Sequence, residues 1–220
     1  MSISSYTAAV TPEVPLVTPS VDEDSGCDPI VLRFAPLIQF NKEQYFEFVM
    51  QNSDLRLERA LTGEVVVMSP TGGEGSVINS KINLRLGNWA EAHGGYVLES
   101  SCEFELPNGA ARCPDASWVS APKWEALTPA QRKKFPPICP EFIIELRSET
   151  DRLKTLQAKM LEYMESGAKL AWLIDPLKKT VHIYRPGQAP EILENPASVS
   201  GESVLPGFEL NVQELFALNQ

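Results

Sequence analysis

Residues 140–176 read PEFIIELRSETDRLKTLQAKMLEYMESGAKLAWLIDP, and their pattern decides what the chain builds. Phe142, Ile143, Ile144 and Leu146 form a short apolar run broken by one acid, Glu145. A polar turn follows. Leu153, Leu156, Met160 and Met164 then recur at helical spacing, predicting a helix from Arg152 to about Glu165 that Gly167 closes. Leu170–Ile174 is a second apolar run of strand length. Strand, helix and strand in that order make a crossover unit. A carboxylate inside such a strand costs folding free energy unless its charge is paired or used.

Upstream, the pattern is a meander. Asn41 and Gln44 have capping-box spacing, and Tyr45, Phe46, Phe48 and Val49 give a short helix its apolar face. Leu55–Leu61 and Glu64–Met68, joined by Thr62-Gly63, read as a hairpin. Ile78, Ile82, Leu86 and Trp89 predict a helix over Val77–His93, ended by Gly94. Strands are expected at Tyr96–Leu98, at Cys102–Leu106 and, after the Pro107-Asn108-Gly109 turn, at Asp115–Val119. Past the crossover, short strands at Val181–Tyr184 and near Ile192 lead to a last strand and a helix over Val212–Leu218. The fold class is therefore a mixed α/β (α+β) domain, with residues 1–35 as a flexible N-terminal tail rich in Pro, Ser, Thr and acid, and 36–220 as the folded unit.

Composition narrows the function. No apolar run reaches the length needed to span a bilayer, and the N-terminus lacks a secretory pattern, so the expected location is cytoplasmic, with no membrane partner. Cys27, Cys102, Cys113 and Cys139 show no zinc-type spacing. Thr71–Ser76 does not match a phosphate-binding loop. A formal net charge of −10 weighs against nucleic-acid binding, although part of it lies in the tail.

Two acids in apolar strands, Asp115 in Pro114-Asp115-Ala116-Ser117-Trp118-Val119 and Glu145 in Phe142–Leu146, carry a resemblance. Together with Val66-Val67-Met68-Ser69-Pro70-Thr71-Gly72, Leu106-Pro107-Asn108-Gly109 and Trp172-Leu173-Ile174-Asp175-Pro176, they make the chain resemble the PD-(D/E)xK nuclease superfamily, and within it the Uma-two family of restriction endonucleases. The resemblance runs from about Leu37 to the C-terminus. It implies a restriction-endonuclease-like fold, a central mixed sheet flanked by helices, and metal-dependent hydrolysis of nucleic-acid phosphodiesters, with double-stranded DNA as the expected substrate. Mg²⁺ or Mn²⁺ would be the cofactor, since both favour oxygen ligands. A homodimer would present two sites to a duplex.

Asp115 and Glu145 are the expected metal ligands, joined by the backbone carbonyl of Leu146 as the resemblance implies. Glu58, in an Arg56-x-Glu58 element, and Glu74, at a helix start, are further candidate ligands. The strand's period of two puts Arg147 on the face of Glu145, where the superfamily pattern usually has lysine. Arginine keeps the charge but transfers protons poorly. Arg152, Leu156, Lys159 and Tyr163 form one helical ridge, and family members commonly carry a lysine ahead of a tyrosine here. Lys159 is thus the expected catalytic cation, with Arg147 as phosphate or charge support. The plainer readings are a strand-start aspartate at 115, a buried ion pair at Glu145, a solvated lysine at 159, simple capping at Glu74 and turn chemistry at Asp175. A scaffold that binds or assembles without catalysis is the chief rival. A glycosidase using the two acids ranks below it, for want of a sugar-stacking aromatic platform near them.

Overall fold

The computed structural model describes residues 29–218 of the 220-residue chain. The stretch expected as a tail therefore lies mostly outside the described residues, but its last part is ordered into strand β1, Ile30–Leu32. Helix α1 (Lys42–Gln51) starts at the expected capping box, with Asn41 and Gln44 bonded reciprocally. The hairpin follows as β2 (Leu57–Arg59) and β3 (Val65–Val67), then helix α2 (Gly73–His93). Helix α2 begins four residues before the expected Val77, because Gly72 serves as the N-cap and the glycines after it join the first turn. Next come β4 (Tyr96–Glu99), β5 (Phe104–Glu105), β6 (Ala111–Arg112) and β7 (Ala116–Val119). Two short helices, α3 (Ala121–Glu125) and α4 (Pro129–Arg132), lead to β8 (Phe142–Leu146), α5 (Leu153–Glu165) and β9 (Leu170–Asp175). The chain ends with β10 (Thr180–Tyr184), β11 (Glu191–Glu194), β12 (Ser198–Ser200), β13 (Glu209–Asn211) and α6 (Gln213–Phe216).

The strands form a mixed six-stranded sheet in the order β11-β10-β9-β8-β7-β4 and an antiparallel five-stranded sheet in the order β1-β3-β2-β6-β5. A two-stranded ribbon, β12-β13, accompanies them. In the six-stranded sheet the parallel pair is β8 with β9, as the intervening helix α5 requires. Strands covered on both faces read as continuous apolar runs, which is how β8 and β9 appear in the sequence.

Alternation divides those runs between two layers. Phe142 and Ile144 of β8 and Trp172 and Ile174 of β9 pack with Ile78, Ile82 and Leu86 of α2. Ile143, Ala171 and Leu173 point the other way and pack with Met160 and Tyr163 of α5. Each fully buried side chain of this size stabilises the fold by about 1.5–3 kcal/mol. Glu145 shares the parity of Ile143, so its side chain falls on the α5 layer. At the turn after α2, Gly94 and Gly95 both have φ of +87°, and a β-carbon on Gly95 would overlap the Trp118 indole.

The five-stranded sheet packs one face on α1 through Tyr45, Val49, Leu57, Val65 and Ala111. Beside this core the Tyr45 hydroxyl donates to Glu103 Oε1 at 2.7 Å, and the Arg59 guanidinium lies 4.3 Å over the Tyr45 ring. Among the described residues no helix is long and apolar enough to cross a membrane. Cys102, Cys113 and Cys139 are free thiols.

Burial pushes the Glu103 carboxyl up to about 8, opposed by the Tyr45 hydrogen bond and reinforced by the charge of Glu58. The folded state therefore holds this proton more tightly than the unfolded chain does. Its stabilisation is present below the ordinary carboxylate range and is lost as the pH rises through about 8. Glu103→Gln mimics the protonated group, so it should raise the melting temperature at high pH and flatten part of the stability loss between about pH 5 and 8. Thermal melts across that range check this; parallel curves for parent and variant would exclude Glu103 as a titrating group.

Candidate active site

Strand register brings the two sequence-distant acids together. Ala116 pairs with Ile144 in the antiparallel β7–β8 ladder, and one further step sets Asp115 opposite Glu145. The Leu146 N–H donates to Asp115 Oδ2 at 2.8 Å, tying the aspartate to the end of the neighbouring strand. From the other layer, Asn79 Nδ2 of α2 donates to Asp115 Oδ1 at 3.1 Å.

Lys159 is buried, not solvated. Its Nζ lies 2.9 Å from Glu145 Oε1 and 2.8 Å from Glu58 Oε1, so one ammonium is shared between an acid of each main sheet. Tyr163, one turn later on α5, donates its hydroxyl to the same Glu145 oxygen at 2.8 Å. The helical ridge expected from the spacing of Lys159 and Tyr163 is thus the ridge that meets Glu145.

Glu58 is bound on both oxygens. Oε1 also accepts from the Cys113 N–H at 2.9 Å, and Oε2 accepts from Arg112 Nη1 at 3.2 Å. Arg112 Nε in turn donates to Glu162 Oε2 on α5 at 2.6 Å, and Asn108 of the β5–β6 turn reaches Glu162 Oε1 at 3.3 Å. The five-stranded sheet is therefore bolted to α5 by buried charges.

Electrostatics follow from this arrangement. Burial pushes Glu58 up, but Lys159 and Arg112 outweigh it and hold the carboxyl below its ordinary range. Glu145 is driven up to about 7 by burial, with Lys159 opposing and the charges of Asp115 and Glu58 adding to the rise. Asp115 is likewise raised, first by burial, against the Leu146 N–H and Lys159. Burial lowers the Lys159 ammonium, yet Glu145 and Glu58 more than compensate and keep it charged. Glu145 thus carries the charges of two neighbouring carboxylates on top of its own burial, a crowding that a divalent cation would relieve.

The remaining expected residues lie elsewhere. Arg147 sits just beyond β8, and its Nη1 donates to buried Asp175 Oδ2 at 2.8 Å, while its Nε donates to the Asp151 carbonyl at 3.3 Å. Asp175 does serve as a turn residue, since its Oδ1 accepts from the Leu177 and Lys178 N–H groups at 3.0 and 3.1 Å. Glu74 is exposed in the first turn of α2. Five residues separate it from Asn79, which puts it roughly 140° around the helix from the side chain that meets Asp115. Among the described residues, no group of three or more His, Cys, Asp or Glu side chains is set to hold a metal ion. Asp115 and Glu145 nevertheless offer hard oxygen donors on facing strands in a charge-rich setting, so the donor set fits Mg²⁺ or Mn²⁺.

Sequence reasoning missed Arg112, Asn79, Asn83 and Glu162. A signal existed for the asparagines, which flank Ile78 and Ile82 along the helix side that faces the sheet. Arg112 gave a weaker one, as a charge three residues ahead of Asp115.

Comparison with known proteins bears on the family and the fold. Residues 42–213 match the family Uma2, described as "Putative restriction endonuclease". Among solved structures, one described as a "putative nuclease belonging to DUF820 from Anabaena variabilis ATCC 29413" superposes with a TM-score of 0.64 at 21% identity, covering 76% of this chain and 93% of that one. At that identity the likeness is one of fold, and it is restriction-endonuclease-like. A search of curated proteins gives no match. With the family matched over most of its length, this chain belongs to the Uma2 family of restriction-endonuclease-like nucleases.

Proposed function

We propose that the protein is a Mg²⁺- or Mn²⁺-dependent endonuclease that hydrolyses phosphodiester bonds of nucleic acid, with double-stranded DNA as its substrate. The observation that carries this reading is the buried Lys159 ammonium held between Glu58 and Glu145 beside Asp115. Asp115, Glu145 and the backbone carbonyl of Leu146 would hold the cation. When bound, such a cation polarises a phosphoryl oxygen and acidifies water.

The chain's own residues supply the rest. Lys159 presents a fixed positive charge where a phosphate would approach the acids, and it stays protonated because two carboxylates face it. That charge suits stabilisation of a pentacovalent, negatively charged phosphorus centre. Glu58 anchors the ammonium and, through Arg112, fixes it relative to α5. Tyr163 sets the orientation of Glu145 through its hydroxyl. Arg147, committed to Asp175, supports the ends of β8 and β9 more directly than it supports a phosphate. A two-fold dimer would present two such sites to a duplex.

A second reading has one observation in its favour. The acids pair with Lys159 and the backbone, with no third acid set to complete a metal site among the described residues, as a scaffold retained for binding or assembly would be. A Mn²⁺ titration separates the two readings, because the nuclease binds the ion through Asp115 and Glu145 and the scaffold does not.

Glu145→Gln and Asp115→Asn should each abolish Mn²⁺-dependent nicking of plasmid DNA and the heat of Mn²⁺ binding; cleavage at the parental rate would remove the assignment. Lys159→Met should slow cleavage by about 10²–10³-fold while Mn²⁺ still binds. Arg147→Met should instead cost about 3–5 kcal/mol in urea unfolding, because it strands buried Asp175, and should leave Mn²⁺ affinity at the parental level. The opposite pattern for these two variants would make Arg147 the working cation.

A further inference from the structure

Helix α2 carries two asparagines one turn apart, and both reach residue 115. Asn79 Nδ2 donates to Asp115 Oδ1 at 3.1 Å, while Asn83 Nδ2 donates to the Asp115 backbone carbonyl at 3.1 Å and to the Asn79 carbonyl at 3.0 Å. The other half of each amide is unused: Asn79 Oδ1 and Asn83 Oδ1 are buried and accept no hydrogen bond. A buried acceptor without a donor costs folding free energy. Each amide is thus kept with half of its hydrogen-bonding capacity unmet, and what it contributes is the N–H it gives to residue 115.

We propose that Asn79 and Asn83 are positioning residues, a two-amide bracket on α2 that fixes Asp115 for cation binding. This rests on the reading of Asp115 as a metal ligand. The Leu146 N–H on Oδ2 is one point of attachment, about which the carboxylate can still pivot. Asn79 adds a second on Oδ1 and sets the carboxylate plane. Asn83 fixes the chain at the residue's own carbonyl, just before β7 begins. The chemical type of the donor matters as much as its place. A lysine or arginine at 79 would grip the carboxylate more firmly but cancel the charge that draws a cation, whereas a neutral amide holds the group and leaves its charge available.

The bracket predicts a loss of cation affinity in variants that remain folded, which a purely structural amide would not give. In the full chain, Asn79→Leu removes the unpaired acceptor together with the donor. Its melting temperature without metal should fall modestly, because Asp115 Oδ1 loses its donor, while its Kd for Mn²⁺, measured by titration calorimetry on the still-folded chain, should rise about tenfold or more. Asn79→Ala, which cannot overpack the helix, should show the same loss of affinity. Asp115→Asn is the control, and there Mn²⁺ binding should vanish. Parental Mn²⁺ affinity in both Asn79 variants, with binding lost in Asp115→Asn, overturns the bracket and leaves the metal reading standing. A lower melting temperature in both with parental Mn²⁺ affinity would show the amide serving the fold alone. Binding retained in Asp115→Asn removes the metal reading and the bracket with it.

Discussion

One ammonium group joins the two sheets of this protein. Lys159 is buried between Glu58 of the five-stranded sheet and Glu145 of the six-stranded sheet, at 2.8 and 2.9 Å. Burying a lysine is costly, and two close carboxylates offset that cost by holding the charged form. The dependence is mutual. Without the lysine, Glu145 would be a buried acid with no cation beside it, next to Asp115, and Glu58 would keep only Arg112 and the Cys113 N–H. The remaining polar contacts of the site extend this unit, with Arg112 securing Glu58, Tyr163 securing Glu145 and Glu162 returning the chain of charges to α5.

The layers explain why these groups can meet. Alternation along β8 sends Phe142 and Ile144 to α2 and Ile143 and Glu145 to α5, so the acid emerges inside an otherwise apolar interface. Asp115 stands at the start of β7 and takes hydrogen bonds from both β8 and α2. The site is thus assembled where the start of β7 meets the far end of β8. Membership in a nuclease family gives this cluster of charge a chemical context.

Much of the fold was legible because it is written in local rules. The capping box at Asn41 and Gln44, the glycine that ends α2 and the apolar runs of β8 and β9 all act within a few residues, and each has its expected counterpart. Less legible was what depends on pairing across the chain. Ile30–Leu32 reads as tail until Val65–Val67 is beside it, and the single central sheet expected is accompanied by a second one. The same holds within the site. Period two correctly places Glu145 and Arg147 on one side of their strand, but it says nothing about which partner a long side chain will choose. Asp175, twenty-eight residues on, takes the guanidinium. Arg112 and the two asparagines of α2 left only faint signals in the sequence, and their partners appear once Asp115 and Glu58 are in place.

Supplying the positive charge from a helix has a consequence for how the chain can vary. The turn at Ser148–Arg152 lies between the acid and the lysine, and surface loops of this kind absorb length changes readily. Helix α5 cannot, because each added or lost residue ahead of Lys159 would swing the amine by roughly 100° away from its acids. The distance in sequence from Glu145 to Lys159 is therefore free to drift, whereas the angular phase of Lys159 relative to Met160 and Tyr163 is not. Insertions among relatives should collect before the first turn of α5, and the lysine–tyrosine spacing should pass through them unchanged.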